Sequence, residues 1–342
     1  MQYTPKTRKN STNSCKVQRA IPYWISAMKL QYRRIDHLIQ FLKPISFPTL
    51  PTFLFRSIVG KELKHLTCIF RGRPCSGCGL KYTCAYSWMF ETPLETQPDV
   101  LEGRDRGSHP FLLSVNRGPG EEVQNLILTV TLFGKAIEYY PYLYYALLQA
   151  GKSGVLRDRI PFEIQDLSCE GQSILLGKDS IHPSSGIQCW ELSPSHTNSD
   201  TTESRHPYSI EEKVRVVLDT PLRLRIDGKY LDHFTAPQFF TALYRRAQIL
   251  CSLYGLQDEK EDSFRYSSDE SLRIISRSFR WVDYPYYSSR QKTLLRMGGI
   301  VGEFLLEGIL QKMEKTFLQF GEIFHVGKNT AFGLGRYHTQ EL

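Results

Sequence analysis

Strand-like and helix-like hydrophobic spacings alternate along the first half of the chain. Over residues 23–34 hydrophobic positions alternate unevenly with polar ones, which predicts a strand. Leu54, Ile58 and Leu63 follow near-helical spacing and predict a helix over residues 52–66. The remaining predicted elements are a strand–turn–strand over residues 109–133, a helix over residues 135–151 and a strand over residues 159–167. The predicted order is therefore β-α-β-β-α-β.

The second half repeats this order. Thr235 precedes an apolar helical face and Pro237 lies in the first turn, so a helix is predicted over residues 235–255. The other predicted elements are strands over residues 213–227, 271–284 and 297–309, a helix over residues 313–327 and a closing strand in residues 335–342. Two such halves predict an α+β fold of two tandem ferredoxin-like domains.

Composition divides the chain into four parts. Residues 1–20 carry five cations, no carboxylate and no apolar core, which is typical of a disordered basic arm and not of a secretory signal. Residues 169–208 are rich in Ser, Thr and Pro, which indicates an irregular connection. The two ferredoxin-like domains are therefore predicted over residues 21–168 and 209–342.

The chain is basic. Lys and Arg number 43 against 35 Asp and Glu, which gives a net charge of +8 and favours an anionic partner such as nucleic acid or a membrane surface. A basic soluble protein without such a partner is the common alternative. Because no apolar run reaches the ~18 residues that a membrane span needs, we expect a cytoplasmic protein that makes no membrane contact.

A glycine-rich segment, "HVGKNTAFGLGRY" at residues 325–337, follows the last predicted helix. A P-loop requires four residues between its first glycine and Gly-Lys-Ser/Thr, and it joins a strand to a helix. Here Gly321 precedes Gly327 by one residue too many, and Asn329 stands where Ser or Thr is needed. The sequence therefore excludes an NTPase loop of this type.

The same segment suits contact with an anion. Glycines let backbone N–H groups approach an anion closely, and Lys328 and Arg336 supply positive charge. The alternative is a helix C-cap at Gly327 followed by a turn. That alternative leaves Gly333 and Gly335 without a reason, so we expect all three glycines to contact the ligand.

Four of the eight cysteines lie close together, spaced C-x6-C-x2-C-x5-C. In a cytosolic chain such clustering favours a metal over disulfides, and four thiolates suit zinc or, less often, an iron–sulfur cluster. Reduced cysteines in a loop are an equal alternative, because only the CxxC knuckle has regular spacing. The candidate ligands of a structural zinc are Cys68, Cys75, Cys78 and Cys84.

The nine histidines include no HxxxH or HExxH pair, so no motif for a catalytic metal is present. His65 closes the first predicted helix beside Lys61 and Lys64, and His325 closes the last one beside Lys328. Either position suits proton transfer near a bound phosphate.

Aromatic and cationic side chains interleave over residues 279–299, including Tyr287 and Arg290. Stacking groups among cations are typical of single-stranded or hairpin RNA recognition. A strand with an aromatic core face and a basic solvent face is the plainer alternative, and it is compatible with RNA binding.

Two parts of the chain carry a resemblance to a known family. "WVDYPYYSSRQKTLLRMGGIVGEFLLEG" and "GEIFHVGKNTAFGLGRY" resemble the C-terminal part of the CRISPR-associated repeat-processing (pre-crRNA) endoribonucleases of the RAMP superfamily. "CIFRGRPCSGCGLKYTCAYSWMFETP" resembles the cysteine-bearing N-terminal segment of one branch of that family. The resemblance covers residues 50–93 and 279–337 well, and the intervening chain loosely.

The resemblance implies two ferredoxin-like domains with a glycine-rich loop after the last helix. It also implies a protein that binds CRISPR repeat RNA and cuts it once without a metal. The 2′-hydroxyl upstream of the scissile phosphate attacks that phosphate, leaving a 2′,3′-cyclic phosphate and a 5′-hydroxyl. No cofactor is implied for catalysis, and subunits of a CRISPR effector complex are the further expected partners.

The resemblance also implies site residues. His325 and His65 are the rival acid–base groups, with His37 in the preceding loop as a third, and Tyr287 joins them as a phosphate contact at the catalytic centre. Ser57 stands where the family usually has glycine, which weakens the case for close RNA approach to the first helix. The expected RNA-binding residues are Arg56, Arg290, Gly327, Lys328, Gly333, Gly335 and Arg336.

Two rival functions fit the same residues. One is a RAMP protein that binds guide RNA as a non-catalytic subunit of a CRISPR effector complex. The other is an RNA-binding protein stapled by zinc that acts outside CRISPR immunity.

Overall fold

Two antiparallel sheets organise the chain, and each packs its buried face against two helices. The computed structural model describes residues 23–175, 186–192, 212–256, 263–266, 271–288 and 292–342. The predicted basic arm, residues 1–20, lies outside the described residues, as does much of the predicted irregular connection.

The N-terminal half follows the predicted order of elements. After a short β1 (Tyr23–Ser26), its elements are β2 (Met28–Ser46), α1 (Pro51–Thr67), β3 (Phe111–Val115), β4 (Glu122–Phe133), α2 (Tyr140–Ser153), β5 (Phe162–Cys169), β6 (Gln172–Ser173) and β7 (Ile187–Leu192). The strand order is β3-β4-β2-β5-β6, and β7 pairs with the first part of β2. Strands β6 and β7 therefore lie within the segment that was expected to be irregular.

Strand β2 extends twelve residues beyond the predicted end at residue 34. Ile35, Ile39 and Phe41 are buried at alternate positions, and His37 shares their face. The expectation that His37 lies in a loop was therefore wrong, because the alternation that begins the strand continues past it.

The C-terminal half repeats the arrangement. Its elements are β8 (Glu212–Leu222), β9 (Arg225–Ile226), β10 (Lys229–Tyr230), α3 (Ala236–Tyr254), β11 (Ser263–Tyr266), β12 (Arg273–Ser288), β13 (Thr293–Gly308), α4 (Lys312–Phe324) and β14 (Tyr337–Glu341). The strand order β12-β13-β8-β14 matches β3-β4-β2-β5 element for element. The predicted pair of tandem ferredoxin-like domains is confirmed.

Local signals fix helix α3 and the last strand. Thr235 and Gln238 form a capping box, with Gln238 N–H donating to Thr235 Oγ1 and Thr235 N–H donating to Gln238 Oε1. Pro237 lies in the first turn, where its missing N–H costs nothing. Strand β14 pairs with β8, so the C-terminal tail closes the sheet as predicted.

A third, smaller hydrophobic cluster joins the two halves. It contains Leu50 and Phe53 from the start of α1, together with Met297 and Leu334 from the C-terminal half. Phe53 is only 2% exposed, and full burial of such a side chain contributes about 1.5–3 kcal/mol. The cluster holds α1 against the segment that follows α4. Among the helices of the described residues, none is long and apolar enough to span a membrane.

Candidate nucleic-acid interface

The glycine-rich loop follows α4 and is attached to the end of β8 by backbone hydrogen bonds. Val326 N–H donates to Gly335 O at 3.0 Å, which closes the loop on itself. Gly335 N–H donates to Pro221 O at 3.0 Å, and Lys328 N–H donates to Arg223 O at 2.9 Å. These N–H groups are used within the protein, so they do not form the anion-binding backbone that the sequence suggested.

Close packing gives Gly333 and Gly335 a structural reason. Both have positive φ, +81° and +73°. A Cβ on Gly333 would lie 2.7 Å from Leu113 O, and one on Gly335 would lie 1.9 Å from Val326 O. Close backbone packing therefore requires glycine at both positions, whether or not RNA binds there. Gly327 likewise lies against the Arg223 carbonyl.

Helix α1 supports the loop from the N-terminal half. The Thr52 hydroxyl donates to Phe332 O at 2.7 Å. The Arg56 guanidinium lies 4.0 Å from the centroid of the Phe332 ring, and one of its nitrogens lies 3.0 Å from His109 Nε2. Burial lowers the pKa of Arg56 to about 10. Arg56, an expected RNA contact, therefore stacks within the protein and positions Phe332.

His325 is 4% exposed and is the first residue of the glycine-rich segment, with a φ of +57°. Its Nδ1 atom has no hydrogen-bond partner within the part of the chain that the structure describes. Burial, followed by the charges of Arg336 and Arg246, lowers the pKa of His325 to about 3. In this conformation the imidazole is neutral at pH 7 and is enclosed by the protein.

His65 occupies a different environment. It is exposed near the C-terminal end of α1, where its Nδ1 lies 4.0 Å from Glu62 Oε2. It lies thirteen positions after Thr52 in the same helix, about 20 Å along the helix axis from the contact with the loop. His65 is therefore exposed at the far end of α1 from the loop contact, whereas His325 is buried.

His37 is fully buried between the sheet and α2. Its Nδ1 lies 3.0 Å from Leu128 O and its Nε2 lies 3.1 Å from the Tyr140 hydroxyl. Burial lowers the pKa of His37 to about 4, so the ring is neutral. Both ring nitrogens serve the core, which leaves none for RNA.

The β12–β13 hairpin has two different faces. Tyr286 points inward, with its ring centroid 5.0 Å from that of Phe332. Tyr287 and Leu294 pair across the strands and are 57% and 65% exposed, and Trp281 on the same face is 41% exposed. This outward face is available for stacking on bases. Arg290 lies outside the described residues.

The two predicted cations of the loop differ in their partners. Arg336 Nε lies 3.0 Å from Asp219 Oδ2, and His338 contacts the other oxygen of the same carboxylate. Lys328 is exposed and forms no ion pair with any described residue. Lys328 is therefore the better candidate for an RNA phosphate, and Arg336 already has a counter-ion.

Two buried arginines flank the loop without carboxylate partners, a feature that sequence analysis missed. Arg246 on α3 is 7% exposed and donates to Ser108 Oγ and, at 3.4 Å, to Phe324 O. Arg223 is equally buried and donates to Gly298 O at 2.7 Å. Neither pairs with an acidic group among the described residues. A buried charge without a counter-ion costs several kcal/mol, so an anion nearby would stabilise this region.

The four clustered cysteines line one small cavity beside the end of α1. Cys78 N–H donates to Cys75 O at 3.2 Å, which forms the knuckle turn. From residue 68 to residue 84 no side chain is buried, and all four cysteines are half-buried. Their sulfur atoms are not drawn together: within the described residues, no set of three or more His, Cys, Asp or Glu side chains is arranged to hold a metal ion.

Two ferredoxin-like domains, with a glycine-rich segment after the last helix, are therefore present as predicted. Residues 216–337 match the family model described as "CRISPR-associated endoribonuclease Cas6", and residues 30–185 match a model described as an N-terminal domain. The match lies in the C-terminal domain of this chain and confirms the resemblance to repeat-processing RAMP proteins. A search of curated proteins found no significant match.

Solved structures align with most of this chain. A chain of a partial Cas6-RT-Cas1–Cas2 complex aligns with a TM-score of 0.51 and 12% identity, over 92% of this chain and 46% of that one. A Cas6 product complex aligns with a TM-score of 0.46 and 16% identity, over 90% and 99% of the two chains. A Thermus thermophilus Cas6 aligns with a TM-score of 0.46 and 13% identity, over 92% and 100%.

Proposed function

We propose that this protein processes CRISPR precursor RNA by cutting once in each repeat. The 2′-hydroxyl upstream of the scissile phosphate attacks it without a metal, leaving a 2′,3′-cyclic phosphate and a 5′-hydroxyl. The observation that carries the proposal is the unpaired positive charge around the glycine-rich loop, which lies inside the segment that matches the Cas6 family. Such charge suits a phosphate backbone and its developing negative charge during cleavage.

The exposed histidine and tyrosine are the acid–base candidates that RNA can reach. His65 and Tyr287 are 66% and 57% exposed, the first as a side chain and the second as a whole residue. His325 contributes only if the loop opens, because its ring is buried. In this arrangement Lys328 offsets charge on the phosphate, and the hairpin face that carries Tyr287 stacks on neighbouring bases.

One observation favours a second candidate, a guide-RNA-binding subunit that does not cut. Two of the predicted catalytic side chains share no exposed surface: His65 is about 20 Å along α1 from the Thr52 contact with the loop, and His325 is enclosed. A non-catalytic RAMP subunit needs only the basic and aromatic surfaces. Its expected partners are CRISPR RNA and effector-complex subunits.

A cleavage assay in EDTA separates the two candidates. The protein is incubated with its own repeat RNA and with a copy that carries a 2′-deoxy nucleotide immediately before the scissile phosphate. A single cut with a cyclic phosphate end, abolished by the deoxy substitution, supports the enzyme. Tight binding without a cut supports the guide-RNA-binding subunit, and failure to bind repeat RNA contradicts both.

A structural zinc on Cys68, Cys75, Cys78 and Cys84 is a separate proposal. Its support is that one cavity receives all four side chains and that the segment between them buries no apolar residue. A metal would supply the cross-link that a hydrophobic core supplies elsewhere. The sulfur atoms would have to move closer together to bind it.

A further inference from the structure

Four exposed cations, Lys328, Arg225, Arg245 and Arg104, lie near enough to interact electrostatically at the start of the glycine-rich loop, and we call them the Lys328 patch. The bond from Lys328 N–H to Arg223 O sets Lys328 beside β9, where Arg225 lies two residues further on. The Arg225 side chain is itself oriented, because its Nε donates to Gly228 O at 2.9 Å. The backbone bond between Lys328 and Arg223 thus places two cations of the patch, Lys328 and Arg225, on neighbouring segments.

Helix α3 brings the other two cations to the same place. Buried Arg246 bonds to Phe324 O, just before the loop, and to Ser108 Oγ in the N-terminal half. Arg245 is its exposed neighbour on α3, and Arg104 lies four residues before Ser108 in the segment that packs on α3. The patch therefore combines residues of both halves of the chain.

The patch lacks counter-ions. None of its four cations forms an ion pair with a described residue, and Arg246 beneath them has only neutral partners. Loss of hydration, followed by the charges of Arg104, Arg225, Arg245 and Arg246, lowers the pKa of Lys328. All of those charged neighbours are positive, so a bound anion would supply the counter-charge that the patch lacks.

We propose that the Lys328 patch binds consecutive backbone phosphates of the RNA strand and that Arg104, Arg225 and Arg245 are phosphate-contacting residues. The inference rests on the proposed function, and it adds a contact that spans both halves of the protein. Exposed cations on an open surface suit an extended polyanion, and arginine forks bind phosphate oxygens in pairs. Phosphate contacts of this kind fix the register of the strand without reading its sequence.

The test compares Arg104→Gln and Arg245→Gln with Lys312→Gln. Lys312 is also exposed and unpaired among the described residues, but it starts α4, about 20 Å from the loop end of that helix. Affinity for repeat RNA is measured across a series of salt concentrations. We expect each patch variant to bind at least about tenfold more weakly, with a salt slope smaller by about 1. Lys312→Gln should match the unsubstituted protein.

The outcomes separate this inference from the proposed function. If the unsubstituted protein binds repeat RNA and both patch variants bind equally well with the same slope, the patch assignment is wrong and the proposed function stands. If the unsubstituted protein does not bind repeat RNA, both are overturned. Thermal unfolding of each variant serves as the folding control, because exposed side chains contribute little to stability.

Discussion

The Thr52 hydroxyl, at the start of the first helix, donates a 2.7 Å hydrogen bond to the Phe332 carbonyl in the glycine-rich loop. The two residues are 280 positions apart, and they belong to different halves of the protein. Arg56, one turn further along α1, covers the Phe332 ring from the same side. The loop that presents Lys328 is thus held by the N-terminal half as well as by its own domain.

Replacing Thr52 with valine should lower the free energy of unfolding by about 1–3 kcal/mol, because it leaves the Phe332 carbonyl without its partner. The measurement is urea unfolding followed by far-UV circular dichroism. Thr316→Val is the matched control, since that hydroxyl bonds only to a carbonyl within its own helix α4. The control should change stability by less than about 0.5 kcal/mol. Equal effects of the two substitutions would contradict the role of the Thr52 bond.

The glycines of the loop give a second prediction with a close control. Gly335 and Gly171 have the same φ, +73°, but a Cβ would meet Val326 O at 1.9 Å at the first and nothing within 4 Å at the second. Gly171→Ala should therefore cost only the strain of a left-handed residue, about 1–2 kcal/mol.

Gly335→Ala should cost clearly more, because the backbone around Val326 must also move. The same unfolding measurement compares the two variants. Similar costs at both positions would mean that the loop accommodates a side chain, and that the glycine is not required by packing.

Buried neutral histidines predict a loss of stability in acid. Burial gives His37 a pKa of about 4, and gives His109 and His325 a pKa of about 3, below the ordinary value of 6.5. In the unfolded chain these rings take up protons below about pH 6.5, whereas in the folded protein they stay neutral until about pH 4 or below. The contribution of these three histidines to stability is therefore fully present above pH 6.5. It is lost as the pH drops towards their pKa values in the folded protein.

We expect the free energy of unfolding to fall between pH 6 and pH 4.5, by up to about 1.4 kcal/mol per pH unit for each of the three histidines. His325→Gln should reduce that slope by up to about 1.4 kcal/mol per pH unit, because the variant no longer takes up that proton on unfolding. A slope that His325→Gln does not change would show that this ring is protonated in the folded protein.

The fold was largely predictable because its signals are local. The Thr235 cap and Pro237 located α3, and the spacing of Leu54, Ile58 and Leu63 predicted α1 to within one residue at each end. The duplicated order of elements then gave the topology, since each half closes its sheet with a last strand beside its first.

The site was much less predictable because its contacts are distant in sequence. Nothing near Arg56 indicates that Phe332 will cover it, and nothing near Gly333 indicates that the Leu113 carbonyl will lie against it. The charge of the Lys328 patch also comes from separate segments, each of which carries only one or two cations. Its only visible sequence signal is the excess of Lys and Arg over Asp and Glu.

Cleavage should depend on an exposed acid–base group. If repeat RNA is cut, His65→Ala or Tyr287→Phe should lower the single-turnover rate by about 10²-fold or more while leaving RNA affinity largely unchanged. His233→Ala, another exposed histidine, is the control and should cut normally. Normal cleavage by both His65→Ala and Tyr287→Phe would remove the reachable candidates and point to His325 with an opened loop.

The cysteine cavity gives the last prediction. If Cys68, Cys75, Cys78 and Cys84 bind zinc, protein purified without chelator should contain about one zinc per chain, and Cys75→Ser should lose most of it. Cys189→Ser is the control, because that thiol is exposed on β7 and outside the cavity. Removing the metal should also lower the thermal midpoint of the unsubstituted protein, since the segment between Cys68 and Cys84 buries no side chain of its own. Metal-free protein with an unchanged midpoint would show that the four thiols are simply reduced cysteines in a loop.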